Sequence, residues 1–142
     1  WLAELFEGFS TADRPGLADR DAVYRHVANT VTSLAQMGRC IIIGAGSVLL
    51  TQRMPGGIHI RLVASPEYRL QRLAEQLHLP PDKAARRLRE LESIRDDLFR
   101  RYFPRQPLRP DHFTLTINTE RVPIETAAQM VVKLIHEAQR RH

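Results

Sequence analysis

Apolar and polar residues alternate along this chain in two distinct rhythms, and the switches between them mark out its elements. Leu2, Leu5, Phe6 and Phe9 recur at helical spacing, so residues 1–9 read as a short amphipathic helix. Gly8 and the stretch from Ser10 to Gly16, with its Pro15-Gly16 turn signal, follow as a linker. A helix is expected from Asp19 or Asp21 to about Met37, with Val23, Val27, Val31 and Leu34 on one face and Gly38 as its stop. The run Cys40–Ile43 is continuously apolar and bounded by glycines, the pattern of a strand buried on both faces. A short helix to about Arg53 comes next, followed by a turn at Pro55-Gly56-Gly57 and a second strand over 58–64.

Ser65 and Pro66 give a cap and a first helical position for a helix to about His78, with Leu70, Leu73 and Leu77 as its apolar stripe. After Pro80-Pro81, a long helix from Asp82 to about Phe103 places Ala85, Leu88, Leu91, Phe99 and Tyr102 near one face. A loop carrying Pro104, Pro107 and Pro110 leads to a third strand over 113–117. Pro123 opens a last helix with Ala127, Val131, Leu134 and Ala138 inward. Strands separated by helices argue for an α/β fold with a mainly parallel sheet.

Composition narrows the chemistry. The 142 residues fit one domain, and a 43% hydrophobic content supports a packed core. Cys40 is the single cysteine, which excludes an internal disulfide framework and a Cys-rich zinc site, and its place in the first expected strand reads as buried and inert. No apolar stretch is long enough to span a bilayer. The first residue is Trp1, so a fragment of a longer protein is the expectation, and this start does not exclude export.

Charge changes the picture more. Of 21 basic residues, only Lys83 and Lys133 are lysines, and the other 19 are arginines. A guanidinium offers a planar fork suited to phosphates and carboxylates. Eight arginines fall within the 24 residues from Arg86 to Arg109, on the long helix and its loop. Arg89 and Arg100 lie about three helical turns apart and share a face. Glu92 and Arg95 are surface neighbours one turn apart. Such a helix can close over a phosphate and neutralise developing charge, or it can be a solvated face held by local ion pairs. Few aromatics stand among the arginines, so a stacking platform for nucleic acid is poorly supported.

A second candidate is the Gly44-Ala45-Gly46-Ser47 run after the first expected strand, where backbone N–H groups can approach an anion. Tight packing at a strand end explains the same glycines. Neither a Walker A sequence nor a complete Rossmann fingerprint is present, since Leu49 stands where the third glycine is needed. The six histidines form no HxxxH or HxH pair, so no metal site is expected.

Three segments together carry a resemblance: GRCIIIGAGSVLLTQRMPGGIHIRLVASPEYRLQRLAEQL, then AARRLRELESIRDDLFRRYF, then LTINTERVPIETAAQMVVKLI. In that order they resemble the cytidylate kinase-like proteins, relatives of the P-loop nucleoside monophosphate kinases. The resemblance implies a three-layer αβα fold with a mainly parallel sheet, of which this chain lacks the first strand or strands and the P-loop. It implies a single, partial nucleotide kinase-like domain over 1–142, with a lid at about 79–112. It also implies phosphoryl transfer from ATP, with Mg²⁺, to CMP or another monophosphate.

By the same resemblance, Arg95 stabilises transferred charge and Glu92 orients the lid arginine or contacts the nucleotide. Arg69 and Arg72 match basic positions in relatives, and the turn at Asn118 and Thr119 matches the one that borders the ATP base; with Gly44, Gly46 and Ser47 from the glycine run and Arg89 from the arginine-rich helix, these are the expected nucleotide- and phosphate-binding residues. Two departures qualify it: Glu92 stands where relatives commonly have Asp, and Ala45 where they carry an arginine for the acceptor phosphate. Activity of this chain alone is not expected, and a catalytically inactive ligand-binding or interaction domain is the alternative. A basic nucleic-acid-binding module is the third reading. A missing N-terminal segment or a second copy is expected to complete the sheet, and the location is expected to be cytoplasmic, without membrane contact.

Overall fold

A computed structural model of the chain describes residues 17–44 and 46–140. The expected helix over 1–9, the linker over 10–16 and Ala45 lie outside the described residues. The chain divides into two compact units, Trp1–Thr51 and Gln52–His142.

In the first unit, α1 spans Leu17–Met37 and α2 spans Ser47–Thr51. Gly38 ends α1 as expected. It takes a positive φ of 68°, which glycine adopts without steric cost, and its N–H donates to the carbonyls of Leu34 and Ala35, both at 3.2 Å. Val48, Leu49 and Thr51 of α2 are buried.

Two expectations for this unit are overturned. Residues 40–43 form no strand: Ile41 is 90% exposed and Ile43 50%. An apolar run becomes a strand only where a partner supplies its ladder, and among the described residues none pairs with it. Cys40 is exposed rather than buried, and its Sγ–H donates to the Leu34 carbonyl at 3.3 Å. On the apolar face of α1, Val23, Val27 and Leu34 are each more than a third exposed.

The second unit follows the sequence reading closely. Strand β1, Ile60–Val63, pairs in parallel with β2, Leu115–Asn118, in the register Ile60 to Leu115 through Val63 to Asn118. Parallel neighbours need a long crossover. Here α3, Pro66–Leu77, and α4, Pro81–Tyr102, form it, packing against one another. A 3₁₀ turn, Pro110–His112, precedes β2, and α5, Ile124–Gln139, follows it.

The caps explain the boundaries. Ser65 accepts the Tyr68 N–H at the start of α3, Pro66 takes the first helical position, and His78 closes the helix in the left-handed region at φ 51°. The core of this unit holds Ala84, Phe103, Ile117 and Ala127. Ala84 is fully buried where α4 begins, and Ala127 sits inward on α5 as its spacing requires. The result is a mixed helix and strand fold with a two-stranded parallel sheet among the described residues.

Candidate functional site

Short capped turns bring α3 and α4 side by side, and this apposition builds the arginine-rich face. Leu79 donates its N–H to the Ala74 carbonyl at 3.0 Å, and Ala84 donates to Pro80 at 2.9 Å, so one helix ends and the next begins within a few residues. The chain reverses there because the two prolines cannot continue α3. Pro66, Glu67 and Leu70 of α3 then meet Ala85, Leu88 and Arg89 of α4 around a hollow of about 200 Å³.

Further along the same seam, the Arg69 guanidinium donates from Nη1 to Oε1 of Glu92. Both side chains are only partly exposed, at 37% and 33%. The pair therefore joins the two helices in a place where water is thinned but not excluded. Glu92 is thus the partner of Arg69 across the seam, and the link between Glu92 and Arg95 that their spacing suggests is not made. Arg95 instead reaches Oδ1 of Asp96, at 3.4 Å from Nε and 3.3 Å from Nη2. Arg89, one turn before Glu92, is exposed and makes no ion pair among the described residues. Arg72 is held by Glu75 one turn on, at 3.0 Å.

The remaining arginines of α4 are mostly tied locally. Arg86 and Arg87 pair with Glu90, and Arg100 with Asp97 at 2.9 Å. In the loop after α4, Arg109 grips Asp111 with both Nε and Nη2, at 2.9 and 2.7 Å. Those hydrogen bonds hold the Asp111 carboxyl below its ordinary range.

The turn at Asn118 and Thr119 lies at the carboxyl ends of the parallel strands, the edge where open α/β sheets receive ligands. Most of its polar groups are engaged within the fold. Thr119 donates its N–H and its hydroxyl to the Val63 carbonyl, at 2.9 and 3.3 Å. Asn118 Oδ1 accepts the Glu120 N–H at 3.0 Å. Glu120 Oε2 then accepts the Ser65 N–H at 3.1 Å, tying the turn after β2 to the cap of α3. Nothing in the sequence marks this link, because 55 residues separate its partners.

Hydrogen bonds from Ser65, from its hydroxyl first and its backbone second, hold the Glu120 carboxyl below its ordinary range. A carboxyl depressed in the folded state stabilises that state above its unfolded value and loses the contribution as pH falls through the folded value. Glu120→Gln is therefore expected to lower the melting temperature at neutral pH, with the gap to wild type closing below about pH 4. Thermal unfolding at both pH values checks this, and a gap that persists in acid contradicts it.

The glycine run lies in the first unit. Gly46 is buried with φ 89°, its carbonyl accepts the Leu49 N–H at 3.0 Å, and Ser47 donates its hydroxyl to the Gly44 carbonyl at 3.1 Å. Gly44, Gly46 and Ser47 thus form a turn closed on itself at the head of a five-residue helix. A larger hollow of about 410 Å³ runs along α5, between Ala128 and Arg140, and none of the expected site residues lines it. Among the described residues no group of three His, Cys, Asp or Glu side chains is placed to hold a metal ion. No helix of the described residues is long and apolar enough to cross a membrane.

The chain matches no curated protein. The description of the cytidylate kinase-like family, by contrast, fits residues 1–121, which include α3, the whole arginine-bearing α4 and the turn after β2. A fit over so much of the chain is decisive: the chain belongs to the cytidylate kinase-like family.

Proposed function

We propose that this chain forms the acceptor-side and lid portion of a nucleotide kinase that moves the γ-phosphoryl group of ATP to CMP or a related monophosphate. The observation that carries this reading is the seam between α3 and α4. It gathers Arg69 and Glu92 face to face, with Arg89 and Arg95 one turn to either side of Glu92. Phosphoryl transfer spreads negative charge over three equatorial oxygens, and catalysis consists largely of positioning and neutralising that charge. Guanidinium groups on a helix that closes over the phosphates do both.

Mg²⁺ accompanies ATP in this chemistry, and one or two carboxylates with the substrate phosphates commonly suffice to hold it. The phosphate-cradling loop lies, in this reading, outside residues 1–142. So does the strand that would complete a three-layer αβα sheet, whether from the same polypeptide or from a second copy. Support comes from β1, which pairs with β2 on one edge, has no strand on the other among the described residues, and leaves Leu62 57% exposed. Use of ATP fits a cytoplasmic location.

The test is ADP formation by the full-length protein with ATP, CMP and Mg²⁺. Turnover that depends on CMP supports the reading, and its absence with pure, folded protein overturns it. A second reading, a non-catalytic nucleotide-binding or interaction domain, draws on Ala45 in place of an arginine and on the Arg69 guanidinium already being neutralised by Glu92. Nucleotide binding without turnover would favour it.

A further inference from the structure

We propose that Glu120 is a positioning residue: its carboxylate fixes the start of α3 against the turn after β2 and thereby sets where Arg69 stands. The inference rests on the phosphoryl-transfer reading above and adds to it a residue outside the arginine-bearing helices.

The chain passes from β1 into α3 through Ala64 and Ser65 alone. Two backbone groups at this junction are held by consecutive residues of the turn after β2. The Val63 carbonyl accepts the Thr119 N–H at 2.9 Å, which carries the parallel ladder one step past Asn118. In a regular ladder the following rung would run from the Ser65 N–H to a backbone carbonyl of the opposite strand. By then that strand has turned away, with the N–H groups of Arg121 and Val122 donating back to the Asn118 carbonyl at 3.1 and 2.9 Å. The Glu120 side chain takes the rung instead, accepting the Ser65 N–H at Oε2, 3.1 Å away. The Ser65 hydroxyl donates to the same carboxylate. An ionised acceptor makes such bonds stronger than neutral ones. Glu120 is itself held, because its N–H donates to Asn118 Oδ1 at 3.0 Å.

From Ser65 the connection reaches the seam without a gap. Ser65 Oγ accepts the Tyr68 N–H at 3.2 Å, and the Ser65 carbonyl accepts the Arg69 N–H at 3.0 Å. The Arg69 guanidinium then donates to Glu92 on α4. Glu120, Ser65, Arg69 and Glu92 thus form one chain of hydrogen bonds, from the ends of both strands to both arginine-bearing helices. The first turn of a helix lacks partners for its leading N–H groups, so outside contacts decide how it is held. Releasing Ser65 loosens that turn and the Arg69 it carries. A misplacement of about 1 Å can cost about 10²-fold in rate. Glu120 is exposed, so truncating it opens no cavity in the core.

A double-mutant cycle on the full-length protein, with ATP, CMP and Mg²⁺, tests this. Glu120→Ala is expected to lower kcat about tenfold while the KM for ATP stays within about twofold of wild type. Glu120→Gln keeps an acceptor oxygen for the Ser65 N–H and is expected to recover most of that loss. In an Arg69→Ala background, Glu120→Ala is expected to cost less than about twofold more, because it acts through Arg69. A purely structural role would instead multiply the two losses. Multiplied losses overturn the proposal. So does a loss confined to the KM for ATP, which would limit Glu120 to the turn, and so does a Gln variant no better than the Ala variant. Glu120→Asp, one methylene shorter, carries the cycle if the Ala variant does not fold. Any of the overturning results beside CMP-dependent turnover leaves the kinase reading standing. CMP binding without turnover removes the kinase reading, and the same cycle read as CMP affinity by calorimetry then decides the positioning. Absence of both binding and turnover overturns both.

Discussion

Replacing Arg95 with alanine is expected to reduce phosphoryl transfer by the full-length protein by about 10² to 10³-fold, mostly in kcat, with a much smaller change in nucleotide affinity. Loss of one preorganised donor aimed at developing charge has that magnitude in other enzymes, and arginines that stabilise transferred phosphoryl groups reach still larger effects. Within the proposed reading, Arg95 is the α4 arginine assigned to the transferred charge, and its ties differ from those of several neighbours. Arg86 and Arg87 are paired with Glu90, and Arg100 is paired with Asp97, each within one turn. Arg95 has only the adjacent Asp96, at 3.3 Å, so reorienting toward a phosphate costs it little. Its side chain is half exposed, and its removal should leave the melting temperature within about a degree or two of wild type. Steady-state kinetics beside a melting curve separates the two effects. Unchanged turnover, or a loss of activity matched by a loss of stability, would remove Arg95 from the catalytic role.

The second large effect is on stability. Ile117→Ala is expected to cost about 2–5 kcal/mol, because Ile117 is 2% exposed in the middle of β2 and truncation leaves a cavity that the strand cannot close. Against a typical domain stability of about 5–15 kcal/mol, this is a large fraction. Urea unfolding should show a lower midpoint at an unchanged slope. A loss under about 1 kcal/mol would mean that Ile117 is not the core residue its burial indicates. Phosphate binding would suffer indirectly, since β2 carries the turn whose Glu120 is tied to the cap of α3.

The Arg69–Glu92 pair also bears on the nucleic-acid reading. Glu92 already neutralises the Arg69 guanidinium, and the remaining arginines of α4 that have carboxylate partners are half neutralised as well. What the arginine count alone left open is thus narrowed by where each guanidinium finds a carboxylate.

Sequence by itself determined where helices start and stop in both units. Ser65 and Pro66 fix the start of α3, the prolines at 80 and 81 end its continuation, and Gly38 stops α1, because caps and breakers act within a few residues of the backbone they control. The apolar spacing of α5 likewise set which side of it Ala127 occupies. The arginine concentration on α4 and the resemblance to the cytidylate kinase-like family were also legible, since both are properties of order along the chain.

Tertiary structure alone decided what depends on partners distant in sequence. Cys40–Ile43 has the composition of a buried strand but forms none, because a strand exists only with a neighbour's hydrogen bonds and no described residue supplies them. Spacing made Glu92 and Arg95 neighbours, yet Glu92 turned across the seam to Arg69, 23 residues away, where partial burial strengthens the pair. Glu120 reached Ser65 over 55 residues for the same kind of reason, a backbone N–H left free at a helix start. Local rules place a charged side chain on a helix face, but only packing decides which opposite charge stands in front of it.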